Sequence, residues 1–357
     1  MMRQLLLEGP AKLRWNDVDE PELDDPAAAI VRPLAVTTCD IDVAVLRGAY
    51  PLAGPYPFGH EAVARVVQVG SAVAAVAPGD LVVVPFQISC GACLPCRRGR
   101  TGNCASHPRM STYGLGTMGG LQWGGLLADL ALVPHADAML VPLPAGVDPA
   151  AAAGASDNIT DGWRTVGPHL AETPGADVLV VGGDHGGNSI GLYAAGIAVA
   201  LGAGRVVYAD DDAGRLAIAA SFGAEPVEGP PPAKMGSFPI TVDASGSEQG
   251  IRCALNSTAF DGVCTGTSVF LTDPALPLFA MYSRCCTFRI GRAHVRPAIP
   301  DVLGLIAGPF DPALVTSAVV AWDDAIDALT EPPMKLVITR TEDGADRLCP
   351  RLPEEDA

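Results

Sequence analysis

The rhythm of the hydrophobic residues changes near residue 150, and this change constrains the fold more than any other feature. Before it, short β-branched runs such as "AAIVRPLAV", "EAVARVVQVG" and "DLVVVPF" are separated by glycine and proline, which is typical of an irregular, mostly antiparallel β domain. After it, "ADVLVVGG", "SIGLYAAGIAVALGAG", "RVVYADDD" and "GRLAIAASFGA" alternate strand with helix, which indicates a parallel sheet. We therefore predict an α/β protein with two different domains, for which 357 residues suffice.

The boundaries follow from the same change in pattern. We predict a β-rich domain over residues 1–155, a parallel-sheet domain over 156–290, a return to the first domain in loops and short elements over 291–340, and a frayed acidic tail over 341–357. The start of the chain breaks at Gly9-Pro10, unlike a signal peptide, and no apolar run is long enough to cross a membrane. The prediction is a cytoplasmic protein without a membrane partner. Its net charge of -17 argues against a nucleic-acid partner.

The run "CGACLPCRRGRTGNC" places Cys90, Cys93, Cys96 and Cys104 in a C-x2-C-x2-C-x7-C array. In a reducing compartment, cysteines at such close spacing indicate a metal site before a disulfide. Four thiolates on one short lobe can close a tetrahedral shell around Zn²⁺ and leave no open position, which is a structural site. The alternatives are four unliganded thiols, or an iron–sulfur cluster, whose common spacings this run does not match.

A second set of metal-ligand residues is dispersed along the chain. Cys39 lies in "VTTCDIDVAV", His60 and Glu61 lie in "PFGHEAVARV", and Asp157 lies in "GASDNITDGW". Each has a simpler interpretation when it is taken alone: a buried thiol for Cys39, a core histidine for His60, and a helix cap for Asp157.

Together these motifs resemble the zinc-dependent medium-chain dehydrogenases, the alcohol and polyol dehydrogenase superfamily. The resemblance covers about residues 5–340 and rests on the four-cysteine lobe, on "GHE" about twenty residues after a lone cysteine, and on the following nucleotide-binding pattern. It implies a GroES-like irregular β-rich catalytic domain plus a Rossmann doubly wound parallel sheet. It also implies that Cys39, His60 and Asp157 hold a catalytic zinc that Glu61 can approach, which makes two zinc ions per subunit. An aspartate at 157 resembles the bacterial secondary-alcohol and formaldehyde dehydrogenase branches.

The segment "VLVVGGDHGGNSIG" runs from a hydrophobic strand through a glycine-rich turn into a helix, where a dinucleotide pyrophosphate would bind. The candidate glycines are Gly182, Gly183, Gly186, Gly187 and Gly191. The next strand ends at Asp210, at the spacing that suits a carboxylate bound to the ribose hydroxyls of NAD. Such a carboxylate disfavours the 2′-phosphate of NADP, so NAD is the predicted cofactor. The resemblance further implies Arg215 beside the adenosine ribose and Lys335 facing the pyrophosphate.

The family commonly has serine or threonine two residues after the ligand cysteine, as the first group of a proton relay. Here the relay positions are Ile41 and Ala44, and Asp40 replaces the arginine or glycine often found beside the cysteine. Two enzymatic hypotheses follow. The first is hydride transfer between NAD(H) and an alcohol, aldehyde or ketone. The alternative is reduction of an imine or conjugated enal by NAD(P)H, for which the relay is not needed.

Three further predictions complete the interpretation. A non-catalytic nucleotide sensor or scaffold is the alternative from another class, although such a protein has little reason to keep the second ligand set. We predict a homodimer, with a tetramer as the alternative, formed through an edge strand at "GTSVFLTD" because an exposed β-branched edge is usually covered. Phe58, Tyr113 and Trp123 are candidates to line the pocket for the small-molecule substrate.

Overall fold

The structure, a computed structural model, describes residues 1–119, 121–183 and 189–340. Its strands are β1 (Met2–Gly9), β2 (Lys12–Val18), β3 (Ala29–Thr37), β4 (Tyr56–Pro57), β5 (Glu61–Val69), β6 (Leu81–Val84), β7 (Ala131–Val133), β8 (Val141–Pro142), β9 (Val178–Val181), β10 (Val206–Asp210), β11 (Glu225–Glu228), β12 (Phe238–Asp243), β13 (Thr258–Gly266), β14 (Thr287–Ile290), β15 (Ala318–Ala321) and β16 (Leu336–Thr339). Its α-helices are α1 (Asp40–Leu46), α2 (Leu94–Arg97), α3 (Gly116–Gly119), α4 (Ala136–Met139), α5 (Pro149–Ala152), α6 (Asn158–Glu172), α7 (Ser189–Ala200), α8 (Ala213–Ser221), α9 (Glu248–Ser257), α10 (Leu278–Ser283), α11 (Val295–Ile306) and α12 (Ala325–Thr330).

The largest sheet joins the two ends of the chain. Its strand order is β15-β16-β3-β5-β6-β8, with β7 also paired to β3. The pairs from β16 to β8 are antiparallel, and β1, β2 and β4 form a separate small sheet. This arrangement confirms the predicted irregular β architecture, in which the last strands return to the first sheet.

The second large sheet is parallel and has the order β11-β10-β9-β12-β13-β14. The four residues of β9 are fully buried, as expected for a strand that helices cover on both faces. The chain leaves β9 for β10 on one side and later reaches β12 on the other. The carboxyl end of β9 is therefore the switch point at which doubly wound sheets bind ligands.

Two sequence predictions about this region differ from the structure. The edge strand predicted at "GTSVFLTD" is wrong, because β13 ends at Gly266, residues 267–277 form neither strand nor helix, and β14 is the edge strand. The segment after residue 290 also contains a twelve-residue helix, α11, where loops and short elements were expected. Its buried residues Val295, Ile299 and Val302 follow helical spacing and pack the helix beside α6.

The division of the chain near residues 155 and 290 stays a prediction, and the tail 341–357 lies outside the described residues. Within the described ranges, no helix has both the length and the apolar character needed to span a membrane.

Candidate metal centre and cofactor site

Four ligand-type side chains from three distant segments meet at one buried point. Cys39 immediately precedes α1, His60 and Glu61 lie where β5 begins, and Asp157 immediately precedes α6. One donor atom from each lies within 4.8 Å of the others. The Oδ2 atom of Asp157 is 3.3 Å from the Sγ atom of Cys39 and 3.4 Å from the Nε2 atom of His60. The fold thus brings together all four residues that the resemblance implied.

Asp42 supports two members of this cluster and was missed in the sequence. Its Oδ2 atom accepts a hydrogen bond of 3.0 Å from the backbone N–H of Cys39, and its Oδ1 atom lies 3.5 Å from His60 Nδ1. A carboxylate behind a ligand histidine fixes the ring orientation and increases the basicity of the ligand nitrogen. The spacing of three residues after a helix N-cap is the signal that could have identified Asp42.

The cluster fits a divalent cation better than it fits the simpler interpretations. Within the described residues, both ring nitrogens of His60 and Oε1 of Glu61 are buried without a hydrogen-bond partner, unlike the polar atoms of a satisfied core. The side chain of Asp157 forms no capping hydrogen bond to α6. The donor atoms that meet in the cluster are a cysteine sulfur, a histidine nitrogen and carboxylate oxygens, which together form a typical donor set for zinc.

The pKa values of the cluster residues also favour a bound cation. Burial, together with the nearby carboxylates, raises the pKa of the Cys39 thiol well above its usual value. Burial also raises the pKa of Glu61 to about 8, whereas at His60 the effect of burial is outweighed by Asp42 and Asp157, which raise the pKa to about 9. A bound cation would compensate this excess of negative charge and favour the thiolate and the carboxylates.

Lys335 contacts this cluster through Glu61. Its Nζ atom donates to Glu61 Oε2 at 3.0 Å, to Asn158 Oδ1 at 2.9 Å and to the carbonyl oxygen of Thr38 at 2.5 Å. We expected it to face the pyrophosphate, and the structure instead gives its ammonium group these three buried partners. Asn158, which the sequence analysis also missed, donates from Nδ2 to Cys39 Sγ at 3.2 Å.

The four-cysteine lobe forms a separate closed cluster. The sulfur atoms of Cys90, Cys93, Cys96 and Cys104 lie within 4.8 Å of one another. Backbone N–H groups donate to three of these sulfurs, at 3.3 Å for Cys90 and at 3.4 Å for Cys93 and Cys104. Donors aimed at sulfur stabilise thiolates, the form that binds a metal. This lobe therefore fits a second, tetrahedral metal ion with no position left for a substrate.

A cavity of about 270 Å³ opens beside the dispersed cluster, and Cys39, His60 and Asp157 lie in its wall. Its apolar lining includes Ile41, Ala44, Phe86, Met110, Leu115, Met118, Ile190, Val269 and Ile290. Of the aromatic residues predicted to line the pocket, Phe58 and Tyr113 are instead fully buried in the core of the antiparallel sheet and Trp123 packs against that core.

Two charged residues in the cavity wall were not identified from the sequence. Arg292 and Asp161 both line the cavity, and Asp161 forms an ion pair with Arg164 one turn further along α6. Burial raises the pKa of Asp161 to about 6. No sequence signal singled out these residues, because α6 and the segment after β14 meet only in the folded chain.

The end of β10 has the predicted carboxylate. Asp210 is buried, and Arg215 contacts both of its oxygens, from Nε at 2.8 Å and from an Nη at 2.6 Å. Although burial opposes ionisation, these hydrogen bonds hold the pKa of Asp210 below its usual range. A Cβ at Gly182 would lie 2.2 Å from Asp210 Oδ2, so only glycine allows this approach.

The remaining candidate glycines have different positions. A Cβ at Gly183 or Gly191 would come within 2.9 Å of Ser245 or Ala244, so both positions need glycine for close packing next to β12. Gly186 and Gly187 lie outside the described residues.

Comparisons with known proteins agree with this geometry. Residues 25–145 match the family described as "Alcohol dehydrogenase GroES-like domain". The chain is 30% identical to the "Probable zinc-binding alcohol dehydrogenase" of Mycobacterium tuberculosis over 91% of this chain and 83% of that protein. It is 32% identical to a glutathione-independent formaldehyde dehydrogenase of Pseudomonas aeruginosa, over 62% of this chain and only 57% of that protein.

A solved structure extends the similarity to the whole fold. The alcohol dehydrogenase TADH from Thermus sp. ATN1 superposes with a TM-score of 0.80 at 27% identity, over 95% of this chain and all of that one. The similarity to that structure therefore covers both large sheets of this fold. The chain belongs to the zinc-dependent alcohol dehydrogenase superfamily of medium-chain dehydrogenases and reductases.

Proposed function

We propose that this protein is a zinc-containing, NAD-dependent oxidoreductase that interconverts an alcohol and its aldehyde or ketone. The observation that carries the proposal is the position of the ligand cluster. Cys39, His60 and Asp157 lie in the wall of a cavity, so a metal ion held there keeps a face towards a small molecule. Zinc in such a site acts as a Lewis acid towards an alcohol or carbonyl oxygen, and NAD accepts or returns the hydride.

The residues of the chain have defined roles in this proposal. Asp42 orients Cys39 and His60, while Lys335 and Asn158 hold Glu61 and the thiolate of Cys39 in place. The apolar wall excludes water from the reacting atoms, which strengthens every electrostatic interaction in the site. Asp210 supports NAD rather than NADP, since a carboxylate at this strand end repels a 2′-phosphate.

The direct test uses the wild-type protein with its metal. We expect about two equivalents of zinc per chain, a change in NADH fluorescence on binding, and NAD-linked oxidation within a panel of primary and secondary alcohols. Binding should be tighter for NADH than for NADPH. Turnover confined to imines or conjugated enals would refute the alcohol assignment and support the alternative reductase.

Ile41 provides a second test because its side chain lines the cavity where the family usually places a relay hydroxyl. We expect Ile41→Ser to raise the rate of alcohol oxidation about tenfold or more, since a positioned proton-transfer group contributes about 10²–10⁴-fold. Ile41→Ala is the matched control, because it opens the same space without adding a hydroxyl. Equal rates for the two variants in steady-state assays would mean that a hydroxyl at this position does not assist alcohol oxidation, which would favour the reductase alternative.

We also propose that the protein is a homodimer joined through the β14 edge of the parallel sheet. The outer side of β14 has no partner strand among the described residues, and the neighbouring α10 leaves Leu278, Phe279 and Tyr282 exposed by 66%, 84% and 83%. Monomeric proteins seldom leave a bare edge strand beside such a patch.

Light scattering should therefore give a mass near twice the 36.6 kDa of one chain. Phe279→Asp should shift this mass towards the monomer, while the matched exposed substitution Leu314→Asp should not. A wild-type mass of one chain at micromolar concentration would contradict the dimer, and a mass four times that of one chain would indicate the tetramer.

A further inference from the structure

The N-terminus of α7 is bonded to a carboxylate of the chain itself. The backbone N–H groups of Ser189 and Ile190 donate to the two carboxylate oxygens of Asp40 at 3.1 and 3.3 Å. The hydroxyl of Ser189 adds a third hydrogen bond of 2.5 Å to Oδ1. A negatively charged group at a helix N-terminus satisfies free N–H groups and is favoured by the helix dipole.

This helix end is the place where the dinucleotide should bind. The helix α7 follows β9, the strand at the switch point of the parallel sheet. In doubly wound folds, the N–H groups at the start of that helix bind the pyrophosphate of the cofactor. The described N–H groups at this position already have an anionic partner, so the residues present do not fit a bound pyrophosphate in this arrangement.

Asp40 is held in place from a second side as well. It begins α1, directly after the ligand Cys39, and its backbone N–H donates to Asn158 Oδ1 at 3.2 Å. The same Asn158 oxygen also receives the ammonium group of Lys335 at 2.9 Å. The buried ammonium group of Lys335 donates to Glu61 and Asn158. The carboxylate of Asp40 and a pyrophosphate within a few ångströms of it would repel each other strongly in a partly desolvated site.

We propose that Asp40 is an internal competitor of the cofactor pyrophosphate, and that its carboxylate must leave the N–H groups of Ser189 and Ile190 before a dinucleotide can occupy that helix end. This inference rests on the proposed function, because it concerns the affinity of the same site for NAD(H). Asp40 therefore lowers the affinity for the cofactor without being one of the residues that would hold the metal.

The test measures binding rather than turnover. The dissociation constants of NADH and of ADP-ribose are determined by calorimetry on the zinc-loaded wild type, Asp40→Ala and Asp40→Asn. We expect Asp40→Ala to bind both ligands at least about tenfold more tightly, which corresponds to about 1.4 kcal/mol. The gain for Asp40→Asn should be smaller, because a neutral amide oxygen still accepts hydrogen bonds but more weakly than a carboxylate.

Two comparisons make the result specific. ADP-ribose has the pyrophosphate but not the nicotinamide, so an equal gain for both ligands assigns the effect to the helix end rather than to the active-site cavity. Asp148→Asn is the matched control, because Asp148 also caps a helix, accepting the N–H of Ala150 at 3.0 Å, away from the cavity. This control should bind NADH as the wild type does.

The outcomes separate the inference from the proposed function. Equal, measurable NADH affinities in the wild type and both Asp40 variants would overturn the inference and leave the oxidoreductase assignment intact. A gain for NADH alone would also overturn it, since the pyrophosphate would not be the group affected. If neither ligand binds to any variant, both proposals fail. If Asp40→Ala does not fold, Asp40→Asn decides the question: tighter binding of both ligands supports the inference, and unchanged binding overturns it.

Discussion

Replacing Asp157 with alanine is expected to lower alcohol turnover at least about a thousandfold while the protein stays folded. The carboxylate is one of three protein ligands proposed for the catalytic zinc, and a Lewis acid contributes several kcal/mol to stabilising the transition state. Each 1.36 kcal/mol changes the rate tenfold. Stability should change little, because the Asp157 side chain does not cap α6.

The measurement combines steady-state rates with metal analysis. The Asp157→Ala protein should retain about one equivalent of zinc, the one in the cysteine lobe. Asp161→Asn is the matched control, because Asp161 lies in the first turn of α6, which Asp157 precedes, and lines the same cavity. It should retain two equivalents. An Asp157→Ala protein with two zinc ions and near-normal rates would show that Asp157 is not a ligand.

Replacing Cys93 with serine is expected to have the largest effect on stability. The lobe from Cys90 to Cys104 is short and has little apolar core, so its order depends on a metal ion held by four thiolates. Structural zinc supplies folding free energy directly. A loss of even about 3 kcal/mol of folding free energy at this site would lower the melting temperature by about 4 °C in a chain of this size.

Loss of the metal from the cysteine lobe should also disturb the cavity. The lobe contacts the segment beside the cavity, where an Nη of Arg292 donates to the carbonyl of Gly102 at 3.1 Å and Gly102 N–H donates to His294 at 3.2 Å. Calorimetry and zinc analysis on Cys93→Ser should show a lower melting temperature and the loss of one zinc equivalent. Cys285→Ser, at an exposed cysteine outside both clusters, should change neither quantity. Unaltered melting of Cys93→Ser would argue for unliganded thiols.

The hypotheses for the reaction depend on the same cavity. A nucleotide sensor would not need ligands that open into an apolar cavity, so this geometry favours an enzyme. Ile41 and Ala44 both line that cavity, so the two relay positions lie at the cavity wall but lack the usual relay groups. The Ile41 variants therefore test the reductase alternative against alcohol oxidation.

Features that depend on short segments could be predicted from the sequence. The four cysteines span fifteen residues, so their spacing alone determines that they can share one metal ion. The alternation of β-branched strands with helices likewise indicated the parallel sheet, because hydrophobic periodicity is a local property. The dispersed ligands Cys39, His60 and Asp157 were identified only through a family pattern, since no local rule joins them.

Other features were decided by the tertiary structure, because they join residues that are far apart in the chain. Lys335 is 274 residues from Glu61, and Asp40 is 149 residues from Ser189. Neither contact follows from propensity or spacing, since each exists only after two sheets and their helices have packed together. The sequence by itself therefore determined the alternation of strands and helices and the four-cysteine lobe that can bind a metal ion. Only the folded chain determined that Lys335 supports the metal cluster and that Asp40 occupies the helix end expected to bind the cofactor.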